Sequence, residues 1–480
     1  MDNLKEKTAQ GLFWSAINSG MTQVLNLVIG IFLARLLSPE DYGIVGVLTI
    51  FTVIAGNLQS SGFTQGLINL KAPMPSDYNS VFWFNILASL TIYAILFFCA
   101  PLIALYFHTP ELTMVSRVVF LGFVISAFGI AQNAYMTKKM MNRQLANVSL
   151  LALAVSGSAG IAIAFGGFRY WSLVWQQIIY ISVLNVGRYF YSDWHPSWHI
   201  DFTPVRRMFS FSVKILATNI INTIGNNILT LVFGRLFPMK AVGNFTQAYK
   251  WDTMANSVVS GALSQVSQTV LVSAADDSDR EKRVFRKMMR FTAFLSFPAM
   301  FGLALVSEEF IVLTISDKWI DSVILLRILC ISGAFMPFYT LYQNLAISSG
   351  RSDIYMWLNV AQIVLQIGVI LLFHPYGMTA MVTAYTVFFT VWLLVWHGFA
   401  FRFIRLGYME MARDILPFMA AAAVVMVLTF IITRGIGSHV VLLPLRIVLA
   451  ALLYFGAMKI VGKDMLAECT AFIFKKRKRA

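Results

Sequence analysis

Long apolar stretches recur along the chain from Gly11 to Val461, and only short polar connections separate them. Stretches of roughly 18–25 apolar residues are what helices need to cross a hydrocarbon layer about 30 Å thick. The pattern therefore predicts an all-α polytopic membrane protein with about fourteen transmembrane helices. The predicted spans are residues 11–34, 42–60, 80–106, 113–133, 148–166, 170–190, 208–236, 242–272, 291–315, 322–348, 355–373, 378–403, 413–434 and 440–461.

The positions of the basic residues predict the orientation of these spans. An even number of spans places both termini on one side, and we assign that side to the cytoplasm. Most of the 37 Lys and Arg residues then fall in inner loops and tails, among them Lys138, Arg206 and the clusters at 280–290 and 475–479. This asymmetry predicts a multi-pass protein of the bacterial inner (plasma) membrane with both termini in the cytoplasm.

An internal repeat divides the chain. A shift of 200 residues aligns Ile31–Gly43 with Leu231–Gly243, so that Arg35 meets Arg235 and Gly43 meets Gly243. Each copy holds an even number of spans, which predicts two pseudo-symmetric six-helix lobes of the same membrane orientation. The predicted domains are an N-terminal lobe with a cytoplasmic linker at 1–200, a C-terminal lobe at 201–405, two additional spans at 406–465 and a basic cytoplasmic tail at 466–480.

Three predicted spans, the first, seventh and eighth, carry polar side chains at the spacing of one helical face. Lipid would leave these side chains without hydrogen bonds, so the polar faces must contact protein or water. One interpretation is hydrogen bonding between packed helices. We favour a substrate cavity, because the polar faces run the length of the spans. The uncharged residues assigned to this cavity are Asn18, Gln23, Asn26, Asn219, Asn222, Asn226, Asn256 and Gln268.

Charged residues on the same faces suggest the chemistry of the cavity. Lys214 and Lys250 lie about two turns inside their helices, where they could attract an anionic head group such as a pyrophosphate. The alternative is that each side chain reaches the nearest membrane surface. Asp252 is one of few acids inside a span and is a candidate for proton or Na⁺ coupling. An ion pair with a neighbouring cation is the other interpretation of Asp252.

Composition excludes several function classes. The chain has 58% hydrophobic and 12% charged residues, and its net charge of +15 follows the membrane topology, so no nucleic-acid partner is predicted. Pro196 lies between His195 and His199, which argues against a metal site. There is no GxxxxGK[ST] motif, and no sizeable outer loop offers a catalytic acid or base. We therefore expect a protein without a cofactor that is not an enzyme, with lipids as neighbours.

Several segments resemble one membrane-protein family. The block from Thr8 to Phe51 resembles the opening of the polysaccharide-exporting flippases of the multidrug/oligosaccharidyl-lipid/polysaccharide (MOP) superfamily, in its WzxC-like branch. Similar hallmarks lie at Phe233–Trp251, Ser76–Asn85 and Tyr376–Tyr385. The resemblance covers most of the chain.

The resemblance implies a fold and a function. The implied fold is two six-helix lobes around a central cavity plus two extra helices, as in MOP and MATE transporters, alternating between inward- and outward-open states. The implied substrate is an undecaprenyl-pyrophosphate-linked oligosaccharide for O-antigen, capsule or exopolysaccharide, and polymerases and glycosyltransferases are the implied partners. Many relatives carry an acid where this chain has Leu229, which puts an ion site borrowed from that acid in doubt.

Two other functions remain open from the residues. A cation-coupled multidrug exporter of the same superfamily would share the architecture but would favour acidic cavity residues, whereas the polar faces here are neutral to basic. A membrane-embedded polysaccharide polymerase or ligase would need a positioned acid or base on a sizeable outer loop.

Overall fold

The computed structural model describes residues 2–198, 200–272, 277–463 and 465–467. The described residues form helices joined by short turns and contain no strand. Their contacts fall into two compact units, residues 1–243 and 244–480.

The first unit contains nine complete helices within the described residues. They are α1 (Asp2–Leu36), α2 (Pro39–Gly46), α3 (Thr49–Asn69), α4 (Pro75–Tyr106), α5 (Leu112–Ala127), α6 (Ile130–Lys138), α7 (Asn142–Phe165), α8 (Trp171–Tyr191) and α9 (Thr203–Leu236). Helix α10 (Met239–Val272) begins in this unit and continues into the second.

The second unit holds the rest of α10 and seven further helices in its described part. They are α11 (Ser278–Leu305), α12 (Ser307–Ile315), α13 (Asp321–Ser348), α14 (Ser352–Leu372), α15 (Met378–Ile404), α16 (Tyr408–Thr433) and α17 (His439–Val461). Single 3₁₀ turns precede α13 at Asp317–Trp319 and α15 at His374–Tyr376.

Each predicted span overlaps one helix or two consecutive helices. Among the described residues, nine helices are long and apolar enough to cross a membrane, or ten if the bent pair α5 and α6 forms one span. Helices α3, α8 and α10 fall outside that group, and the described part of α9 contributes only a shorter apolar segment, Asn227–Leu236. The multi-pass membrane character follows from these helices, and the number of fourteen spans stays a prediction.

The helix pairing of the first unit recurs in the second. In the first unit α4 packs on α5, α5 on α8, and α7 on α8. In the second unit the equivalent pairs are α11 with α13, α13 with α15, and α14 with α15. This recurrence supports the duplication inferred from the sequence.

The last two helices attach to the second unit through α11. Helix α16 packs along α11 and α17 packs on α16. Arg286 of α11 donates to both carboxylate oxygens of Asp414, at 2.7 and 3.1 Å, and to Glu410 at 3.1 Å. The basic cluster at 280–290 therefore holds α16 in addition to marking the predicted cytoplasmic side.

Division by contacts differs from division by repeat. Helix α9 packs on α3 and α4 of the first unit, although the repeat makes it the first span of the second lobe. One division groups residues by contact in space and the other by similarity of sequence, so the domain boundaries predicted from the repeat stay a prediction. Most of the tail at 466–480 lies outside the described residues.

The repeat-related turns at the ends of α1 and α9 pack together within the first unit. Ser38 caps α2: its hydroxyl accepts the Asp41 amide at 3.2 Å, and the Asp41 carboxylate accepts the Ser38 amide at 2.9 Å. Glycine is required near the start of both following helices, at Gly43 in α2 and Gly243 in α10. A Cβ at Gly43 would overlap the Met239 carbonyl, and one at Gly243 would overlap the Pro39 carbonyl.

Candidate functional site

Helix α10 carries two of the three charged residues that the sequence singled out, Lys250 and Asp252, and they lie on different faces. Lys250 and Asp252 are two positions apart, which is more than half a turn of helix. Asp252 is 2% exposed, whereas Lys250 is half-buried and Thr253 beside it is exposed. The polar residues of α10 therefore form a buried face and a more open face.

Asp252 lies on the buried face, among α10, α11, α13 and α15. It packs against Gly333 of α13, where an added Cβ would overlap its Oδ1 atom and the Cε atom of Met300. Tyr249, Cys330 and Tyr385 are close enough to interact with it electrostatically. Gly333 thus provides the space that this carboxylate occupies.

No cation neutralises Asp252 among the described residues. Its Oδ1 atom has no hydrogen-bond partner there, and the ion pairs of those residues do not include it. The ion-pair interpretation of Asp252 therefore has no partner in the described part of the chain. Its assignment to ion coupling stays a prediction.

The next turns of the buried face join α10 to α13. The Asn256 amide donates to the Gly333 carbonyl at 2.8 Å and accepts the Ser260 hydroxyl at 2.5 Å. About three turns further along α10, Asn344 of α13 donates to the buried Ser267 hydroxyl at 2.6 Å. These are the interhelical hydrogen bonds that the packing interpretation predicts, and the cavity assignment of Asn256 stays a prediction.

Lys250 lies on the more open face of α10. Its ammonium nitrogen is 5.4 Å from the centre of the Trp251 ring, which favours a cation over that ring. The described carboxylates include none within ion-pair distance of this ammonium. A membrane helix therefore presents a cation without an anionic protein partner.

The polar face of α1 is half-buried at Asn18, Gln23 and Asn26. Asn18 accepts a hydrogen bond of 3.0 Å from the Ser149 hydroxyl of α7, and α1 packs along α7. This contact again matches helix packing, and the cavity assignment of the three residues stays a prediction.

The remaining predicted cavity residues lie on described helices, but their side chains lie outside the description. They are Lys214, Asn219, Asn222 and Asn226 on α9 and Gln268 on α10. His199 lies outside the described residues altogether.

A buried ion pair that the sequence analysis missed joins α12 to α17. Arg446 and Glu309 are 6% and 3% exposed, and Arg446 Nη1 lies 2.5 Å from Glu309 Oε1. Arg446 also donates to the Thr433 hydroxyl at 3.1 Å. Both residues lie inside predicted spans, and that position was the signal that could have identified them.

Comparisons with known proteins identify relatives of this architecture. A family model described as "Polysaccharide biosynthesis protein" matches residues 32–324, more than half of the chain. The lipopolysaccharide biosynthesis protein WzxC of Escherichia coli (strain K12) is 24% identical over 364 residues, which cover 75% of this chain and 73% of that protein.

Two solved structures of similar fold are those of a flippase and a multidrug transporter. The lipid II flippase MurJ in an inward closed conformation matches with a TM-score of 0.79 and 13% identity, over 95% of this chain and 100% of that chain. An inward-facing MATE family multidrug resistance transporter of the MOP superfamily matches with a TM-score of 0.65 and 15% identity, over 80% and 94%. The predicted fold class, an all-α polytopic membrane protein of the MOP and MATE type, is confirmed.

Proposed function

Because the chain belongs to the polysaccharide biosynthesis protein family, we propose that it is a flippase for an undecaprenyl-pyrophosphate-linked oligosaccharide. It moves this lipid-linked repeat of an O-antigen, capsule or exopolysaccharide from the inner to the outer leaflet of the inner membrane by alternating access. The observation that carries the proposal is Lys250, a cation on a membrane helix without a carboxylate partner among the described residues.

The chemistry of Lys250 fits the head group of such a substrate. A charged side chain within a membrane helix is costly unless it meets an opposite charge or water. A pyrophosphate offers several anionic oxygens to the ammonium. The Trp251 ring lies 5.4 Å from the ammonium, within the range at which an aromatic face attracts a cation. Lys214 on α9 is proposed as a second cation of the same cavity, together with the asparagines and glutamines assigned from the sequence.

The remaining features of the proposal concern orientation and energy. We place both termini in the cytoplasm, because the basic residues concentrate on that side of the predicted spans.

Asp252 is proposed to bind a coupling proton or Na⁺, since a buried carboxylate without a protein cation favours a cation from solution. Polysaccharide polymerases and glycosyltransferases are proposed as partners, because they would consume and supply the lipid-linked repeat.

Translocation can be tested with the purified full chain in proteoliposomes that contain an undecaprenyl-pyrophosphate-linked oligosaccharide. We expect the oligosaccharide to become accessible to a membrane-impermeant periodate reagent from the opposite side. The variant Lys250→Gln should slow the initial rate about tenfold, since one charge-assisted contact is lost. The matched control is Lys240→Gln, an exposed lysine on the same helix. Equal rates for wild type and protein-free liposomes would reject the flippase.

A cation-coupled multidrug exporter is the second candidate. The MATE fold and the unneutralised Asp252 carboxylate favour it, because carboxylates suit organic cations. The same proteoliposomes loaded with ethidium distinguish the two. Two results together would support the exporter: ethidium transport that the Asp252→Asn variant loses, and no translocation of the oligosaccharide. A polymerase or ligase would instead lengthen the oligosaccharide chain, which mass spectrometry of the lipid extract would reveal.

A further inference from the structure

A separate pocket of about 640 Å³ lies within the first unit, at the end where α4 and α9 end and α5 and α8 begin. Small-molecule sites in proteins commonly have volumes of roughly 300–1,000 Å³. The wall comes from the loop between α4 and α5, the start of α8 and the turn between α9 and α10. The orientation proposed above places this end on the outer side of the membrane.

Two residues of the pocket wall adopt a backbone conformation that L-residues seldom take. His108 has φ 54° and Arg169 has φ 47°, both in the left-handed region. Such conformations cost free energy in residues other than glycine and concentrate at functional sites. Here they occur in two different loops, and both affected residues line the same pocket.

The charges of the pocket form a mixed set of hydrogen-bond donors and acceptors. Arg169 pairs with Asp41 at 3.2 Å and with Glu40 at 3.4 Å, so the α2 cap holds its guanidinium. Arg235 bonds to the His108 ring and lies 5.5 Å from the centre of the Tyr106 ring.

Two charged groups of the pocket lack an oppositely charged protein partner. Among the described residues, neither Arg235 nor Glu111 takes part in an ion pair. The charges of the Glu111 carboxylate and of the Arg235 guanidinium, which bonds to the neutral partner His108, are therefore not neutralised by a described ion pair.

We propose that this pocket binds sugar units of the oligosaccharide on the outer side of the membrane. Sugar hydroxyls both donate and accept hydrogen bonds, so they suit Glu111 and Arg235 together. The half-buried Tyr170 ring adds an apolar face for a pyranose ring. Glu40 and Glu111 would repel a pyrophosphate, which makes the glycan the part of the substrate that fits. This assignment rests on the proposed function for the identity of its ligand.

Binding can be measured on the full chain in lipid nanodiscs by isothermal titration calorimetry. The probe is the free repeat-unit oligosaccharide, released by mild acid hydrolysis of the sugar–pyrophosphate bond in the undecaprenyl-pyrophosphate-linked oligosaccharide. We expect saturable binding that weakens about tenfold or more in Glu111→Gln and in Tyr170→Ala, since each removes a direct contact. Glu111→Gln keeps the shape of the side chain and removes no described contact, so the variant should fold.

Two matched variants serve as controls. Asp317→Asn changes an exposed acid in the loop between α12 and α13, the counterpart in the second unit of the α4–α5 loop. Tyr376→Ala changes an exposed tyrosine before α15. Both should bind the probe like wild type.

The outcomes separate this inference from the flippase proposal. Absence of saturable binding, or an equal loss in the two controls, overturns the pocket assignment whatever the translocation assay shows. Normal translocation without saturable binding of the probe supports the flippase proposal and rejects only the assignment of this pocket to sugar binding. Binding that depends on Glu111 and Tyr170 supports the pocket even if lipid-linked translocation fails.

Discussion

Two buried carboxylates of the second unit, Glu309 and Asp252, have opposite surroundings. Glu309 lies 2.5 Å from the guanidinium of Arg446, which also bonds to Thr433. Asp252 is equally buried, but its Oδ1 atom has no partner among the described residues. A buried charge that the protein neutralises serves packing between helices, whereas one that it leaves open favours a cation from solution. Substitutions of Arg446, Gly333, Asn256 and Asp252 test this difference, because they should lower the free energy of unfolding by progressively smaller amounts.

The largest effect is expected for Arg446→Met. The substitution leaves the Glu309 carboxylate buried without its cation, which costs about 3–5 kcal/mol in comparable buried pairs. Thermal unfolding of the purified protein in detergent should show a marked loss of stability.

The double variant Glu309→Gln/Arg446→Met removes both charges and is the control. It should regain most of the lost stability, because a neutral pair needs no neutralisation. A single Arg446→Met variant as stable as wild type would contradict the structural role of the pair.

A smaller effect is expected for Gly333→Ala. The new Cβ would overlap Asp252 Oδ1 and Met300 Cε, and overpacking of this kind costs about 1–3 kcal/mol. The same thermal unfolding measures it, and combining it with Asp252→Ala should recover part of the loss.

The control for Gly333 is Gly368→Ala in α14, where no atom lies within 4 Å of an added Cβ. Alanine favours a helix more than glycine does, so this variant should match or exceed wild-type stability. An equal loss of stability in Gly333→Ala and Gly368→Ala would mean that the close contact of Gly333 with Asp252 does not cause the effect.

Asn256→Ala tests the buried face of α10, and it should lower the free energy of unfolding by less than Gly333→Ala does. The variant loses the hydrogen bond to the Gly333 carbonyl. Side-chain hydrogen bonds between membrane helices contribute about 0.6 kcal/mol on average and about 1.7 at most. The exposed Thr253→Ala on the other face is the control. If Asn256→Ala left stability intact but stopped translocation, Asn256 would belong to the cavity and not to the helix contact.

Asp252→Asn should change stability least and transport most specifically. The amide removes a buried charge that no described cation neutralises. The free energy of unfolding should therefore stay the same or rise slightly. In the proteoliposome assay, the rate should no longer respond to an imposed pH or Na⁺ gradient.

The control for Asp252 is Asp279→Asn, an exposed acid at the start of α11, which should keep the response. A loss of stability like that of Arg446→Met would show that Asp252 has a structural partner after all.

The sequence alone predicted the helices well, but not where they break. Hydropathy identified the second span as continuous from 42 to 60, whereas the structure divides it into α2 and α3 around Val47 and Leu48. It also missed that α1 extends back to Asp2 and α11 to Ser278. Helix ends that leave the apolar layer are polar, so a pattern that detects apolar stretches stops before the helix does.

The candidate site was predicted less completely than the fold. The sequence singled out Lys250, Asp252 and Asn256 as candidates, because charged and amide side chains stand out in a membrane helix, and their assignment to a site stays a prediction. Their division between a buried and a more open face was not, since it depends on where α13 and its Gly333 carbonyl lie. The charges of the pocket beside the α4–α5 loop were also missed, because Arg169 and Glu111 lie in loops outside any periodic pattern.

By itself, the sequence determined the membrane-spanning helical class, the repeat and the polar faces, since each follows from the free energy of transferring side chains into lipid along one helix. Only the tertiary structure decided which buried charges are neutralised. Arg446 and Glu309 lie 137 residues apart in the chain, and no local pattern reports that they meet. Which residues form an ion pair depends on contacts between helices that are distant in sequence. The free-energy cost of burying a charge, in contrast, depends on the single residue and can be estimated from the sequence.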